Sequence, residues 1–118
     1  MTTREAPDEL RVGDAGRRLT VVMGNGQRLD FDAEYLRVES PSAEVKGHSP
    51  GEAKIVAGKR DVRIARLEPV GSYAVRIIFD DGHSTGIYTW PYLTALADGK
   101  DANWSRYLAA LQERGLAR

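Results

Sequence analysis

The sequence of 118 residues contains no cysteine. This absence excludes disulfide cross-links, thiolate metal sites and a cysteine nucleophile, although it does not decide the compartment. An excess of charge of one sign is also missing, because 17 Lys and Arg residues balance 17 Asp and Glu residues. The balanced charge argues against nonspecific binding to nucleic acid or to an anionic membrane surface.

Long hydrophobic runs are absent as well. No apolar run reaches membrane-spanning length, and residues 1–18 lack the apolar stretch of a signal peptide, so we expect a cytoplasmic protein with no membrane partner. The length and the hydrophobic fraction of 42% fit one globular domain. We expect a flexible leader over 1–18, which would otherwise serve as a partner-binding arm, followed by a single domain over 19–115.

Strand and turn signals occupy most of the chain. Asn25-Gly26 predicts a tight hairpin turn between strands over 19–23 and 27–31, and no Lys-Ser/Thr follows to support a phosphate-binding loop instead. A strand over 61–67 is expected to end at Pro69. Asp81-Gly82 predicts a second hairpin, between strands over 72–79 and 84–88.

Helix signals are concentrated at the C-terminal end. Pro91 suits the first turn of a helix that Gly99 closes, and Asp101 is expected to cap a last helix that Gly115 ends. A short helical turn is also expected over 33–37. The order of elements predicts an α+β fold: a small, mainly antiparallel sheet built from hairpins, with one or two C-terminal helices.

A long stretch without clear structure runs over about 40–60. It contains two of the five prolines and no aromatic residue. Loops of this length inside a compact domain are uncommon and are usually functional or disordered. Ile55 and Val56 are the residues expected to attach its middle to the core.

Two motifs, PVGSYAV over 69–75 and DGHSTGIYTW over 81–90, carry a family resemblance. Together they resemble the gamma-butyrobetaine hydroxylase-like N-terminal domain family, over roughly residues 19–97. The resemblance implies a domain found as a small stand-alone bacterial protein, as the N-terminal part of 2-oxoglutarate-dependent carnitine-pathway oxygenases, and fused to P-loop iron–sulfur carrier proteins.

The resemblance also implies where a metal site would lie. In the oxygenase form the domain is similar to a zinc module with a Cys-x-Cys-x-x-Cys run and one histidine. Here the three cysteine positions read Ser40, Ser42 and Val45, while the histidine is retained as His83. Hydroxyls are poor zinc ligands and valine is none, so we expect a degenerate, metal-free site, no cofactor and a loosened loop. A site from Glu44, His48 and His83 would need a rearranged loop.

Complete catalytic motifs are also missing. Neither His48 nor His83 begins the His-x-Asp motif of a non-haem iron oxygenase. A Ser-His-Asp site from Ser84, His83 and Asp81 fails because neighbouring strand residues point to opposite faces. A version with Ser40 or Ser42 and His83 lacks a nucleophile-elbow motif. We therefore expect a protein that is not an enzyme.

Two groups of residues, one aromatic and one basic, each allow two interpretations. Tyr88, Trp90 and Tyr92 are candidates for partner binding, since such side chains are enriched in interfaces, but their spacing also suits core and helix docking. Four arginines would line one sheet face and attract an acidic partner, unless nearby Glu and Asp balance them: Arg60, Arg63, Arg66 and Arg76.

The leading functional expectation is a non-enzymatic binding or adaptor domain whose protein partner, through the fused relatives, is an iron–sulfur carrier or assembly protein. The first alternative is an accessory domain for a separate 2-oxoglutarate-dependent oxygenase subunit. The second is a small-molecule binder with a pocket beside the helix over 91–96. Edge strands of a small open sheet would also allow a homodimer.

Overall fold

The hairpin predicted at Asn25-Gly26 is present in the computed structural model, which describes residues 6–46 and 55–118. Strand β2 (Arg18–Val22) pairs antiparallel with β3 (Arg28–Asp32). Gly26 has a φ of +88° at the turn, a conformation in which glycine has no steric penalty.

A further strand precedes this hairpin. Strand β1 (Glu9–Gly13) pairs antiparallel with β2, and Leu10 packs against the core. The prediction of a flexible leader over 1–18 is therefore wrong from Glu9 onward, because the few apolar residues of this segment alternate on a strand whose backbone is paired. Residues 1–5 lie outside the described ranges.

The second sheet follows the order β4 (Ile64–Val70), β5 (Ala74–Phe79), β6 (Ile87–Thr89), with all neighbours antiparallel. Pro69 was expected to end a strand but lies inside β4, opposite Val75. The position tolerates proline because β4 is at the edge of its sheet.

Four helices complete the described fold: α1 (Ala33–Val38), α2 (Ala43–Lys46), α3 (Trp90–Asp98) and α4 (Lys100–Glu113). Thr89 caps α3 by accepting a hydrogen bond from the Tyr92 N–H, and Pro91 lies in the first turn, as expected. The cap expected from Asp101 is wrong: Gly99 occupies the cap position and Asp101 lies in the first turn of α4.

The main core lies between the inner faces of the two sheets and helices α1 and α3. Its fully buried large side chains include Leu19, Val21, Phe31, Leu36, Val75, Ile77, Phe79, Tyr88 and Leu93. A smaller cluster joins Tyr107 and Leu111 of α4 to Val38, with Ile55 and Val56 packed against it. The expected attachment of Ile55 and Val56 is thus present, and the α+β class is confirmed.

No helix within the described ranges is both long enough and apolar enough to cross a membrane.

Candidate functional site

Ser40, just after α1, meets His83, in the connection between β5 and β6. The Ser40 Oγ lies 2.8 Å from Nε2 of His83, and the two share a hydrogen bond. Ser40 is fully buried and His83 is 7% exposed. The fold therefore brings together two of the positions that the family resemblance assigned to the degenerate metal site.

Ser42 and Val45 complete this cluster. The Ser42 hydroxyl lies 2.6 Å from Oγ1 of Thr85, and the Ser42 N–H donates to Ser40 Oγ. Val45 lies in α2 and is buried. The loosened loop predicted over 40–60 is wrong for residues 40–46, because the hydroxyl groups of Ser40 and Ser42 bind His83 and Thr85 in the β5–β6 connection. His48 and the rest of 47–54 lie outside the described residues.

The donor chemistry of the cluster does not fit a structural zinc ion. It supplies one imidazole, two hydroxyls that are committed to hydrogen bonds, and one valine. A closed zinc site needs four ligands, mainly thiolates and imidazoles. No group of three or more His, Cys, Asp or Glu residues within 6–46 and 55–118 is arranged to hold a metal ion.

The absence of a side chain at Gly86 leaves the space that the Ser40 hydroxyl occupies. A Cβ atom on Gly86 would lie 2.5 Å from Ser40 Oγ, closer than Cβ atoms approach other atoms, and 3.0 Å from Cε1 of Tyr88, which is closer than most Cβ contacts. Beside it, the Tyr88 hydroxyl donates to the carbonyl of Leu36. Burial raises the pKa of the Tyr88 phenol, so it remains a neutral donor. The end of α1 and the β5–β6 connection are therefore packed with little spare space.

An ion cluster borders the serine–histidine pair. The Asp81 carboxylate binds Arg37 Nε at 2.8 Å and Lys59 Nζ at 2.7 Å, and it accepts a hydrogen bond from the His83 backbone N–H. Burial works to raise the pKa of Asp81, but Lys59, the His83 N–H and Arg37 outweigh it and lower the pKa to about 2.

The sequence did not predict this ion cluster. In the sequence Asp81 belongs to a turn signal and to a triad that strand geometry excludes, and Arg37 and Lys59 carry no local signal that joins them to it. Asp81 is bound to the backbone of His83, and Ser40 has no solvent-accessible surface. The ion cluster and the serine–histidine pair together connect segments that are distant in the chain. The buried Ser40 hydroxyl is not accessible to a substrate.

The three aromatic candidates for partner binding have structural contacts. Tyr88 is fully buried, and Trp90 is 8% exposed and donates its Nε1–H to the Ser72 carbonyl. Tyr92 is half-buried, and its hydroxyl donates to the carbonyl of Glu39. Burial accordingly contradicts a partner-binding role for Tyr88 and Trp90 and agrees with the core alternative.

The predicted arginine face is divided. Arg66 and Arg76 both bind the Glu68 carboxylate, at 3.0 and 2.6 Å. For these two arginines the structure agrees with the alternative that nearby acidic residues balance their charge. Arg63 is exposed, and its backbone N–H donates to Asp80. Arg60 instead lines a cavity beside the first sheet.

These features define a class of protein: a small α+β domain with two three-stranded antiparallel sheets and a buried serine–histidine contact between α1 and the second sheet. Residues 10–94 match the family model described as gamma-butyrobetaine hydroxylase-like, N-terminal. The chain belongs to this family.

Solved structures agree with this assignment. One NMR solution structure is 42% identical, with a TM-score of 0.81 over 97% of this chain and 90% of the other. A second is 40% identical, with a TM-score of 0.82 over 100% of this chain and 90% of the other. A crystal structure of a protein of unknown function from Acidithiobacillus ferrooxidans ATCC 23270, assigned to the DUF971 family, is 39% identical. Its TM-score is 0.64, over 78% of this chain and 92% of the other. No curated protein matches the sequence.

Proposed function

We propose that this domain is a non-enzymatic protein-binding module. The observation that carries the proposal is the burial of Ser40 against His83. A nucleophile must reach its substrate, and the Ser40 hydroxyl has no solvent-accessible surface. Its hydrogen bond to the His83 imidazole therefore lies where no substrate can enter. The pair stabilises a junction in the fold.

The outer face of the second sheet is the surface that we propose for binding. Ile87 is opposite Arg76 in the strand pairing, so the two side chains lie on the same face, away from the buried Val75 and Ile77. Ile87 is 42% exposed. Apolar side chains exposed beside charged ones are typical of protein interfaces.

The charge on this face indicates the kind of partner. Two arginines, Arg66 and Arg76, share the single carboxylate of Glu68, which leaves an excess of one positive charge. An acidic surface would complement it. We take a P-loop iron–sulfur carrier as the partner, because the family resemblance implies fusions to such proteins. A cytoplasmic location, as expected from the sequence, would suit this partner.

The test is direct binding between the purified chain and a purified P-loop iron–sulfur carrier from the same organism, measured by calorimetry. Ile87→Asp should weaken binding about tenfold or more, since it places a charge in the contact. Leu108→Asp is the matched control, because Leu108 is 39% exposed but lies on α4. It should leave the affinity unchanged.

A carrier that does not bind, or equal effects of the two substitutions, would contradict the proposal. The same titration with a separate 2-oxoglutarate-dependent oxygenase subunit tests the alternative role of an accessory domain. If that subunit binds and Ile87→Asp weakens its binding to the same extent, the oxygenase subunit, and not the carrier, is the partner.

A further inference from the structure

A cavity of about 290 Å³ lies where the β1–β2 connection, the start of α1 and the segment before β4 meet. It is separate from the serine–histidine cluster and from the outer face of the second sheet. Its lining is dominated by charged side chains: Asp14, Arg17, Arg18, Asp32, Glu34, Arg60 and Arg118, with Val62.

Most of the carboxylates that line the cavity are already paired. Glu34 is buried, and Arg118 binds it through two hydrogen bonds of 2.7 and 3.0 Å. Asp14 lies 3.5 Å from Arg18. Asp32 is the exception: its side chain makes no hydrogen bond within the described part of the chain, not even as the cap of α1, and it interacts with Arg118 only by longer-range attraction.

Three arginines keep donors available. Arg17 and Arg18 approach their carboxylates only at 3.6 and 3.5 Å, and their side chains are about half exposed, at 47% and 51%. Arg60 is exposed and makes no hydrogen bond or ion pair with residues of 6–46 or 55–118. Each guanidinium carries five N–H donors in a planar fork that suits oxyanions.

The backbone fixes the position of Arg17 and Arg18. Asp14, Ala15 and Gly16 have successive positive φ angles of 51°, 55° and 92°. Gly16 contacts β4 so closely that a Cβ would lie 2.8 Å from the carbonyl oxygen of Ile64. This turn therefore holds the two arginines against the segment that carries Arg60.

We propose that this cavity binds a small molecule that carries one phosphate group and a neighbouring hydroxyl. A phosphate dianion offers enough acceptor oxygens for Arg17, Arg18 and Arg60 together, whereas a carboxylate has only two. Asp32 accepts a hydrogen bond from the hydroxyl and repels a second phosphate. The volume is at the lower end for small-molecule sites, so the ligand is compact.

Heteronuclear NMR titration of the full chain tests the proposal, with inorganic phosphate and glycerol phosphate as probes. Both should cause saturable shifts of the amides of 14–18 and 60–62, and glycerol phosphate should bind more tightly. Arg60→Gln should weaken both affinities about tenfold or more. Arg63→Gln is the control, because Arg63 is a nearby exposed arginine outside the cavity lining.

The Asp32→Asn variant distinguishes the contact of the arginines with the phosphate from the contact of Asp32 with the hydroxyl. It should tighten the binding of inorganic phosphate, because a negative charge is removed, and it should reduce the preference for glycerol phosphate. Shifts that do not saturate, or equal losses from Arg60→Gln and Arg63→Gln, would overturn the phosphate site. Equal affinity of the wild-type chain for the two probes would overturn the hydroxyl contact. Thermal melts of the variants show whether each remains folded.

Discussion

The hydroxyl of Ser40 and the imidazole of His83 meet at 2.8 Å in the interior, although 43 positions separate them in the chain. At the two positions where the family resemblance implies a thiolate and an imidazole, this protein has a hydrogen bond between a hydroxyl and an imidazole. It joins the end of α1 to the β5–β6 connection, and a hydroxyl can do this without a metal ion.

Restoring the thiolates should restore metal binding. The variant Ser40→Cys, Ser42→Cys, Val45→Cys presents three sulfur ligands around the retained His83, the donor set of a structural zinc site. We expect about one zinc ion per chain by elemental analysis and a higher melting temperature with zinc. Adding His83→Ala should lower the zinc affinity. The wild-type chain is the control, and we expect it to bind no zinc. If the triple variant binds no zinc although its thiols are reduced, the backbone does not place the four side chains in the tetrahedral arrangement of a zinc module.

Gly86→Ala should destabilise the domain by roughly 1–3 kcal/mol in the free energy of unfolding, because the new methyl group has no room beside Ser40 and Tyr88. Chemical denaturation measures the change. Gly13→Ala is the control: no atom lies within 4 Å of its added Cβ, and we expect a change within about 0.5 kcal/mol. If Ser40 causes the clash, the cost of Gly86→Ala should be smaller in a Ser40→Ala background, and strict additivity would contradict this.

Arg118→Ala should lower stability by about 1–3 kcal/mol, because it removes both hydrogen bonds from the buried Glu34 carboxylate. The expected loss of stability is smaller than for a fully buried ion pair because the Arg118 side chain is 36% exposed. Arg114→Ala is the control, since Arg114 is an exposed arginine of the same C-terminal segment. Adding Glu34→Gln should recover part of the loss; no recovery would mean that Arg118 acts through its contact with Trp104 instead.

Asp81 should make stability fall in acid. Its pKa drops from the usual 3.8 to about 2 in the folded protein, so its contribution is present above about pH 4 and is lost as the pH falls toward 2. Asp81→Asn should cost about 1–2 kcal/mol at neutral pH and much less near pH 2, as measured by denaturation at each pH. Asp98→Asn replaces an exposed carboxylate and serves as the control. A cost for Asp81→Asn that does not depend on pH would contradict the ion cluster.

Much of the fold was predictable because its signals are local. The Asn25-Gly26 turn, the alternation of Val75 with Ile77, and Pro91 at the start of α3 each depend on a few neighbouring residues. Strand β1 was missed because its stability comes from pairing with β2. Pro69 was misread because only the order of strands shows that β4 is an edge.

The site was only partly predictable. The family resemblance indicated Ser40, Ser42, Val45 and His83, and the fold brings Ser40 and Ser42 into contact with the His83 segment, with Val45 buried in α2. The pairing of Asp81 with Arg37 and Lys59 has no such motif, nor does the convergence of Arg17, Arg18 and Arg60 on one cavity. These groups come from four separate segments, so no spacing in the chain relates them.

The sequence by itself determined that no thiolate can bind a metal here, since it has no cysteine, and it determined the turns and the α+β class through local preferences. Only the tertiary structure decided that Ser40 is buried while Arg60 is exposed. Solvent access depends on which distant elements pack over a side chain. The β5–β6 connection covers Ser40, whereas Arg60 lies at the surface in the lining of the cavity.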